Sequence, residues 1–310
     1  MNIRKLFTGC ALGLALTATT AQEARAVDIV INYLDAPGYG FNDPLLGSSR
    51  RQAFELAMWG MSATLSSQVP ISVDTYFAYG LGTAWGYDDG YPYRFWRDFS
   101  GGYPGIYYPS ALRNKLYGDD GLPGESDVLV VFNGDIDDLG GRSGERFYYG
   151  LDGNPGNNVD FVTISFHAFL RGMGFYTLLN PANGEYYLLD GDTMTYPDIL
   201  SAHLVQTKKS FLDKKAKLMI DLPPKQRKKA LSSKNKLKWW GFNLTNAAGG
   251  LVPMYAPKVK KKDPIPYGVA DHFDHSYWNR TVMSPTYDWA ATHDLGGARW
   301  ALVDMGWSLY

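Results

Sequence analysis

The segment 160–175 constrains the fold of this chain more than any other part of the sequence. It reads Asp-Phe-Val-Thr-Ile-Ser-Phe-His-Ala-Phe-Leu-Arg-Gly-Met-Gly-Phe. We expect a helix from Phe161 to Leu170, because the two glycines that follow it closely let the chain leave the helical conformation. Within such a helix His167 and Arg171, four positions apart, lie on one face.

The spacing of His167 and Arg171 is that of the two histidines in the motif His-Glu-x-x-His. In that motif both histidines bind zinc from one helical face, and the glutamate activates the metal-bound water. Here Ala168 replaces the glutamate and Arg171 replaces the second ligand. Losing the general base removes about a hundred- to ten-thousand-fold in rate. The permanently charged guanidinium of Arg171 also opposes the binding of a divalent cation.

The N-terminal half contains signals for a sheet and a long helix. Val27 to Asn32, Val69 to Phe77 and Asp127 to Asn133 are rich in β-branched and aromatic residues and predict strands. Residues 46–65 carry apolar side chains at helical spacing and predict a long amphipathic helix. Together they indicate an α+β fold with a mixed sheet. We expect the stretch 78–117, rich in Gly, Tyr and Pro, to wrap the surface.

The C-terminal half predicts mainly helical or irregular structure. We expect a mixed helical region as far as about Lys238, then a lysine-rich loop at 258–262. Met283-Ser284-Pro285 predicts a turn, and Leu295 to Met305 predicts a final amphipathic helix.

The first 26 residues have the order of a secretory signal peptide cleaved after Ala26. Their apolar run, 6–16, is too short to span a bilayer, and we expect no transmembrane span later in the chain. Cys10 is the only cysteine, so the mature protein would be free of disulfides and thiolate metal sites. We therefore expect a secreted protein, periplasmic or extracellular, with residues 27–310 as a single domain in two parts, 27–175 and 176–310.

Several segments, in order, carry a resemblance to a known family: 31–38, 41–44, 51–59, 149–155, 160–175, 226–232, 240–257, 282–285 and 293–307. They resemble a bacterial family of secreted zincin-type metallopeptidases, some members of which carry a protease-associated domain insertion. The family's motif is His-Glu-[Ile/Leu]-Gly-His-Gly-Leu-Gly-Phe, of which this chain keeps His167, Gly172, Gly174 and Phe175. The resemblance implies a zincin-like fold with a cleft between its two parts.

The resemblance also implies a third zinc ligand, located before a methionine turn. Met283 is the methionine of that turn and would lie beneath the metal in an active relative. Counting back from it leads to Tyr267, with His272 and His275 as alternatives for the ligand.

The altered motif in segment 160–175 allows two functional hypotheses. In the first, the protein is a catalytically inactive metallopeptidase homologue, a pseudoenzyme with a binding role. It needs no cofactor; His167, Ala168, Arg171, Gly174 and Met283 remain as a vestigial cleft, and Arg171 contacts a carboxylate or phosphate of a ligand. In the second, it is an active zinc metalloendopeptidase.

That second hypothesis requires a rebuilt zinc site. His167 would bind the metal together with His272 or His275, because imidazole is a common zinc ligand. A lone histidine on a helix is otherwise more often hydrogen-bonded within a protein core.

A third hypothesis rests on the basic segment 206–262, which carries sixteen Lys or Arg residues against two Asp residues. Such a segment is suited to a polyanionic or cell-surface partner, without specificity for nucleic acid. Trp239 and Trp240, beside Lys236 and Lys238, resemble an aromatic and basic contact surface. The alternative is a solvated face without a partner.

Asp152, Asn154 and Asn157 supply oxygen atoms at the spacing of a calcium loop. The alternative is a structural turn before the helix, because Asn, Asp and Gly favour turns. The sequence leaves both readings open.

Overall fold

The computed structural model of the chain describes residues 25–82, 86–189, 191–207, 216–259, 268–275, 281–287 and 291–310. All but the last two residues of the predicted signal peptide, 1–26, lie outside these ranges. Within the ranges, none of the helices combines the length and the apolar character needed to cross a membrane.

The described residues form a mixed α/β fold, which agrees with the expected α+β class. The strands are β1 (Ile29–Tyr33), β2 (Leu65–Ser66), β3 (Ile71–Ala78), β4 (Asp88–Pro92), β5 (Phe95–Trp96), β6 (Tyr108–Pro109), β7 (Val128–Asn133), β8 (Phe147–Tyr148), β9 (Val159–Asp160), β10 (Leu204–Gln206), β11 (Lys217–Leu218), β12 (Leu237–Trp239) and β13 (Ser308–Leu309). The helices are α1 (Gly47–Ser62), α2 (Ser110–Tyr117), α3 (Asp135–Leu139), α4 (Phe161–Gly172), α5 (Ile199–Ala202), α6 (Pro224–Leu231), α7 (Phe242–Ala247) and α8 (Ala298–Met305).

The main sheet has the strand order β1-β3-β7-β4. β1, β3 and β7 are parallel, and β4 runs antiparallel to β7 at the edge. The three predicted strands of the N-terminal half correspond to β1, β3 and β7. β4 corrects the expectation that 78–117 wraps the surface. Its Asp, Gly and Pro residues obscure the strand pattern, but an edge position tolerates them.

Helices α1 and α4 pack together beside the sheet. Gly60 of α1 approaches α4 so closely that a Cβ atom there would lie 2.6 Å from the ring of Phe166. Phe161, at the start of α4, lies 4.5 Å between ring centroids from Phe132 of β7. Asp160 caps α4, accepting a hydrogen bond from Thr163 N at 2.8 Å. The predicted helix 161–170 is thus confirmed and anchored on the sheet.

The C-terminal half contains a three-stranded antiparallel sheet, β11-β10-β12, where mainly helical or irregular structure was expected. The lysine-rich composition hid short strands such as Leu237–Trp239, in which two buried side chains alternate with Lys238. Trp239 is fully buried, stacks on Phe175 and donates from Nε1 to Asp304 Oδ2 at 2.9 Å. The prediction that Trp239 belongs to a contact surface is therefore wrong.

Asp127, just before β7, gives the fold a pH dependence. Burial raises its pKa to about 6, although a hydrogen bond from Ser72 N lowers it. Because the carboxyl of Asp127 keeps its proton to a higher pH in the folded chain than in the unfolded chain, this proton stabilises the fold below about pH 4. We expect the stabilisation to be lost as the pH rises to about 6, which lowers the free energy of unfolding by about 3 kcal/mol.

Unfolding free energies of wild type and Asp127→Asn across this interval measure the effect. As the pH rises through this interval, the unfolding free energy of the wild type should fall by about 3 kcal/mol relative to that of the variant. A difference that stays constant with pH would contradict the assignment.

Candidate functional site

The candidate site is centred on a pair of histidines. His167 of α4 and His272 lie with their Nε2 atoms 2.8 Å apart. His167 Nδ1 is 2.6 Å from Asp88 Oδ2, on the edge strand β4. His272 Nδ1 is 2.7 Å from Asp271 Oδ1 and 3.1 Å from the carbonyl oxygen of Gly268. The structure thus brings His167 to one of its two predicted partners.

Hydrogen bonding assigns the protons of this pair. His272 Nδ1 faces two oxygen acceptors, so it carries a hydrogen and leaves Nε2 as an acceptor. His167 then lies between two acceptors, Asp88 Oδ2 and His272 Nε2.

Arg171 completes the site one helical turn after His167. Its side chain is only 4% exposed. Nη1 donates to Asp271 Oδ2 at 3.0 Å, Nε donates to Asp89 Oδ1 at 3.3 Å, and the guanidinium lies 5.2 Å from the centroid of the Tyr176 ring. The anion contact predicted for Arg171 is therefore made here by carboxylates of the chain itself. We call the set Asp88, Asp89, His167, Arg171, Asp271 and His272 the site network.

The charges of the site network act on one another. Burial by itself raises the pKa of Asp271, yet Arg171 and His272 together lower it to about 2, so this carboxylate stays ionised. Burial lowers the pKa of His272, and the charges of His167 and Arg171 lower it further, against the opposing effect of Asp271. The field that disfavours a proton on His272 also disfavours a metal cation.

The residues present do not fit a catalytic zinc ion. Such a site takes three protein ligands and a water, and among the residues that the structure describes only His167 and His272 converge. Among the described residues no group of three or more His, Cys, Asp or Glu side chains could hold a metal. His275 instead contacts Ser284 Oγ at 3.4 Å, and Tyr267 lies outside the described residues. Arg171 also adds a buried positive charge, which opposes the binding of a zinc ion.

Ala168 lies where α4 packs directly against the edge strand β4. Ala168 is fully buried, and its carbonyl oxygen packs against β4. A Cβ atom built at Gly90 would lie 1.8 Å from that oxygen. Gly90 therefore lets the strand that carries Asp88 and Asp89 approach α4 directly.

The glycines at the end of α4 and the buried Met283 serve the fold. Gly174 has a φ of +136°, which favours glycine, and α4 ends just before it. Gly172 meets a different need, because a Cβ atom there would lie 2.2 Å from Val128 Cγ1 of β7. Met283 is fully buried, and its carbonyl oxygen accepts a hydrogen bond from Phe273 N at 3.0 Å. These residues position the site network without taking part in it.

The segment considered for calcium forms local hydrogen bonds. Asp152 Oδ1 accepts from Tyr148 Oη at 2.6 Å and from Asn154 N at 3.1 Å. This arrangement is that of a turn. A calcium ion at Asp152, Asn154 and Asn157 stays an untested prediction, and we do not propose one.

Sequence reasoning missed Asp88 and Asp89. They lie in a stretch interpreted as surface loop, although Tyr87, Tyr91 and Tyr93 alternate around them as in a strand. That alternation was the available signal.

No protein-family model matches the chain, and neither a curated protein nor a solved structure is significantly similar to it. The family resemblance therefore rests on the segments named above.

Proposed function

We propose that this chain is a secreted, zincin-like protein without peptidase activity, whose role is to bind a partner. One observation carries the proposal. Arg171, at the position of the second zinc ligand, is buried and ion-paired with Asp271. A group held in this way is part of the folded interior and does not leave to admit a metal ion.

The absence of a base at position 168 supports the same conclusion. Ala168 has no proton-accepting group, and Gly90 packs against its backbone. Both the metal and the base of a zinc peptidase would thus be missing from this helix. The helix, its glycines and the buried Met283 serve the fold, which leaves the protein surface to carry the function.

Metal analysis of the purified full-length protein, combined with a peptidase assay, tests the proposal. We expect far less than one zinc ion per chain and no hydrolysis of casein or of fluorogenic peptides, with or without added zinc. Stoichiometric zinc, lost on chelation together with proteolysis, would establish the rebuilt site of His167 and His272 instead.

A single substitution tests whether the helix keeps zincin geometry. Arg171→His should let the chain bind about one zinc ion, because two histidines four positions apart share a helical face and His272 supplies a third nitrogen. The bound zinc ion would also give Asp271 a positive neighbour in place of the guanidinium of Arg171. The protein should remain inactive, since Ala168 is unchanged.

Arg171→Gln is the matched control for this experiment, because it removes the same charge without adding a ligand. Zinc should bind to the histidine variant and not to the glutamine variant. Equal zinc contents in the two folded variants would remove the zincin interpretation of α4.

A further inference from the structure

Helix α6 (Pro224–Leu231) presents a lysine face to solvent. Lys225, Lys228 and Lys229 are all exposed and, at spacings of three and four, lie side by side on the helix. Ala230 and Leu231 are buried on the inner side. One side of α6 therefore belongs to the core, and the other is a cationic surface.

Only part of the lysine face favours the stability of the helix, because Lys228 and Lys229 lie in the last turn, where the helix dipole favours a cation. Lys225 lies in the first turn, where the positive end of the helix dipole disfavours a cation, and that turn has no acidic residue. Lys225 also lies one turn from both Lys228 and Lys229, and like charges at this spacing repel. Among the residues that the structure describes, none of the three lysines forms an ion pair with a carboxylate.

The one arginine of α6 behaves differently from the lysines. Arg227 donates from Nε to the carbonyl oxygen of Gly184 at 2.6 Å and from Nη1 to that of Leu222 at 2.8 Å. Its guanidinium lies 4.6 Å from the centroid of the Tyr186 ring. Arginine, the side chain suited to rigid two-pronged recognition of phosphate, is thus committed to the fold, and the cationic side chains that α6 exposes are all lysines.

We propose that the lysine face of α6 binds the surface of an anionic lipid membrane. Ammonium groups on flexible stems attract negative charge without fixing its geometry, which fits a fluid layer of mobile headgroups better than an ordered polymer. This inference is independent of the proposed loss of peptidase activity, because α6 contributes nothing to the site network.

Vesicle sedimentation tests the proposal on the full-length protein. The probes are vesicles of phosphatidylcholine with one quarter phosphatidylglycerol, and vesicles of phosphatidylcholine alone. We expect binding to the anionic vesicles only, weakening as salt is added. At roughly a factor of five per lysine, Lys225→Gln with Lys228→Gln and Lys229→Gln should lower the affinity about a hundredfold.

The matched control removes three positive charges elsewhere, as Arg94→Gln with Arg146→Gln and Arg299→Gln. It should keep its vesicle affinity to within about twofold of wild type, if the location of charge matters more than its sum. The proposal is overturned by equal losses in the two triple variants, by no wild-type binding at low salt, or by equal binding to neutral vesicles. Tighter binding to heparin or to a DNA oligonucleotide than to the anionic vesicles would also overturn it.

Discussion

Arg171→Ala is expected to lower the free energy of unfolding by about 3 to 5 kcal/mol. Arg171 is buried, and its guanidinium is 3.0 Å from Asp271, whose side chain is 9% exposed. Removing the guanidinium leaves that carboxylate ionised in the interior, with His272 as its remaining charged or polar side-chain partner among those described. Urea denaturation at neutral pH measures the change.

A double-mutant cycle with Asp271→Ala separates this ion pair from simple loss of packing. Removing both charges should destabilise the protein by clearly less than the sum of the two single substitutions, because no isolated charge then remains at the pair. Additive effects, or a loss below about 1 kcal/mol for Arg171→Ala, would show that the pair is not the buried element described here.

Gly90→Ala is expected to destabilise the protein by about 3 kcal/mol or more, the upper end of what overpacking causes. The added Cβ atom would lie 1.8 Å from the backbone oxygen of Ala168, and neither backbone can move aside like a flexible side chain. Gly90 is not among the glycines with positive φ, so steric contact alone causes the effect. Strand β4 and helix α4 would have to separate.

Gly250→Ala is the control for this substitution. Gly250 also lacks a positive φ, and a Cβ atom there would meet nothing within 4 Å. Its replacement should leave the unfolding free energy unchanged or raise it by up to about 1 kcal/mol. If both glycine variants unfold at the same denaturant concentration as wild type, the close approach of β4 to α4 is wrong.

The sequence predicted elements well where one periodicity dominated a segment. The β-branched runs became β1, β3 and β7, and the apolar helix became α4; in β3, β7 and α4 the side chains are buried in the way that such patterns require. β4 was missed because an edge strand need not be apolar. β11 and β12 were missed because lysines in these short strands masked their pattern.

The site was predicted only in part, for a different physical reason. The helix spacing placed His167 and Arg171 on one face, and counting from Met283 kept His272 among the alternatives. Asp88 and Asp89 could not be assigned, because pairing with a distant residue leaves no local pattern in the sequence. Such contacts depend on how the chain folds back on itself.

The site network joins parts of the chain that are made at very different times during synthesis. Asp88 on β4, His167 on α4 and the segment from Gly268 to His272 meet only when the two halves of the chain have come together. Contacts between residues so distant in sequence form late, because the intervening chain must first be ordered. While the segment from Gly268 to His272 is absent, His167 can contact Asp88 and Arg171 can contact Asp89, but their contacts with His272 and Asp271 are missing. The nascent N-terminal half therefore carries an incomplete polar patch, which the last hundred residues of the chain complete.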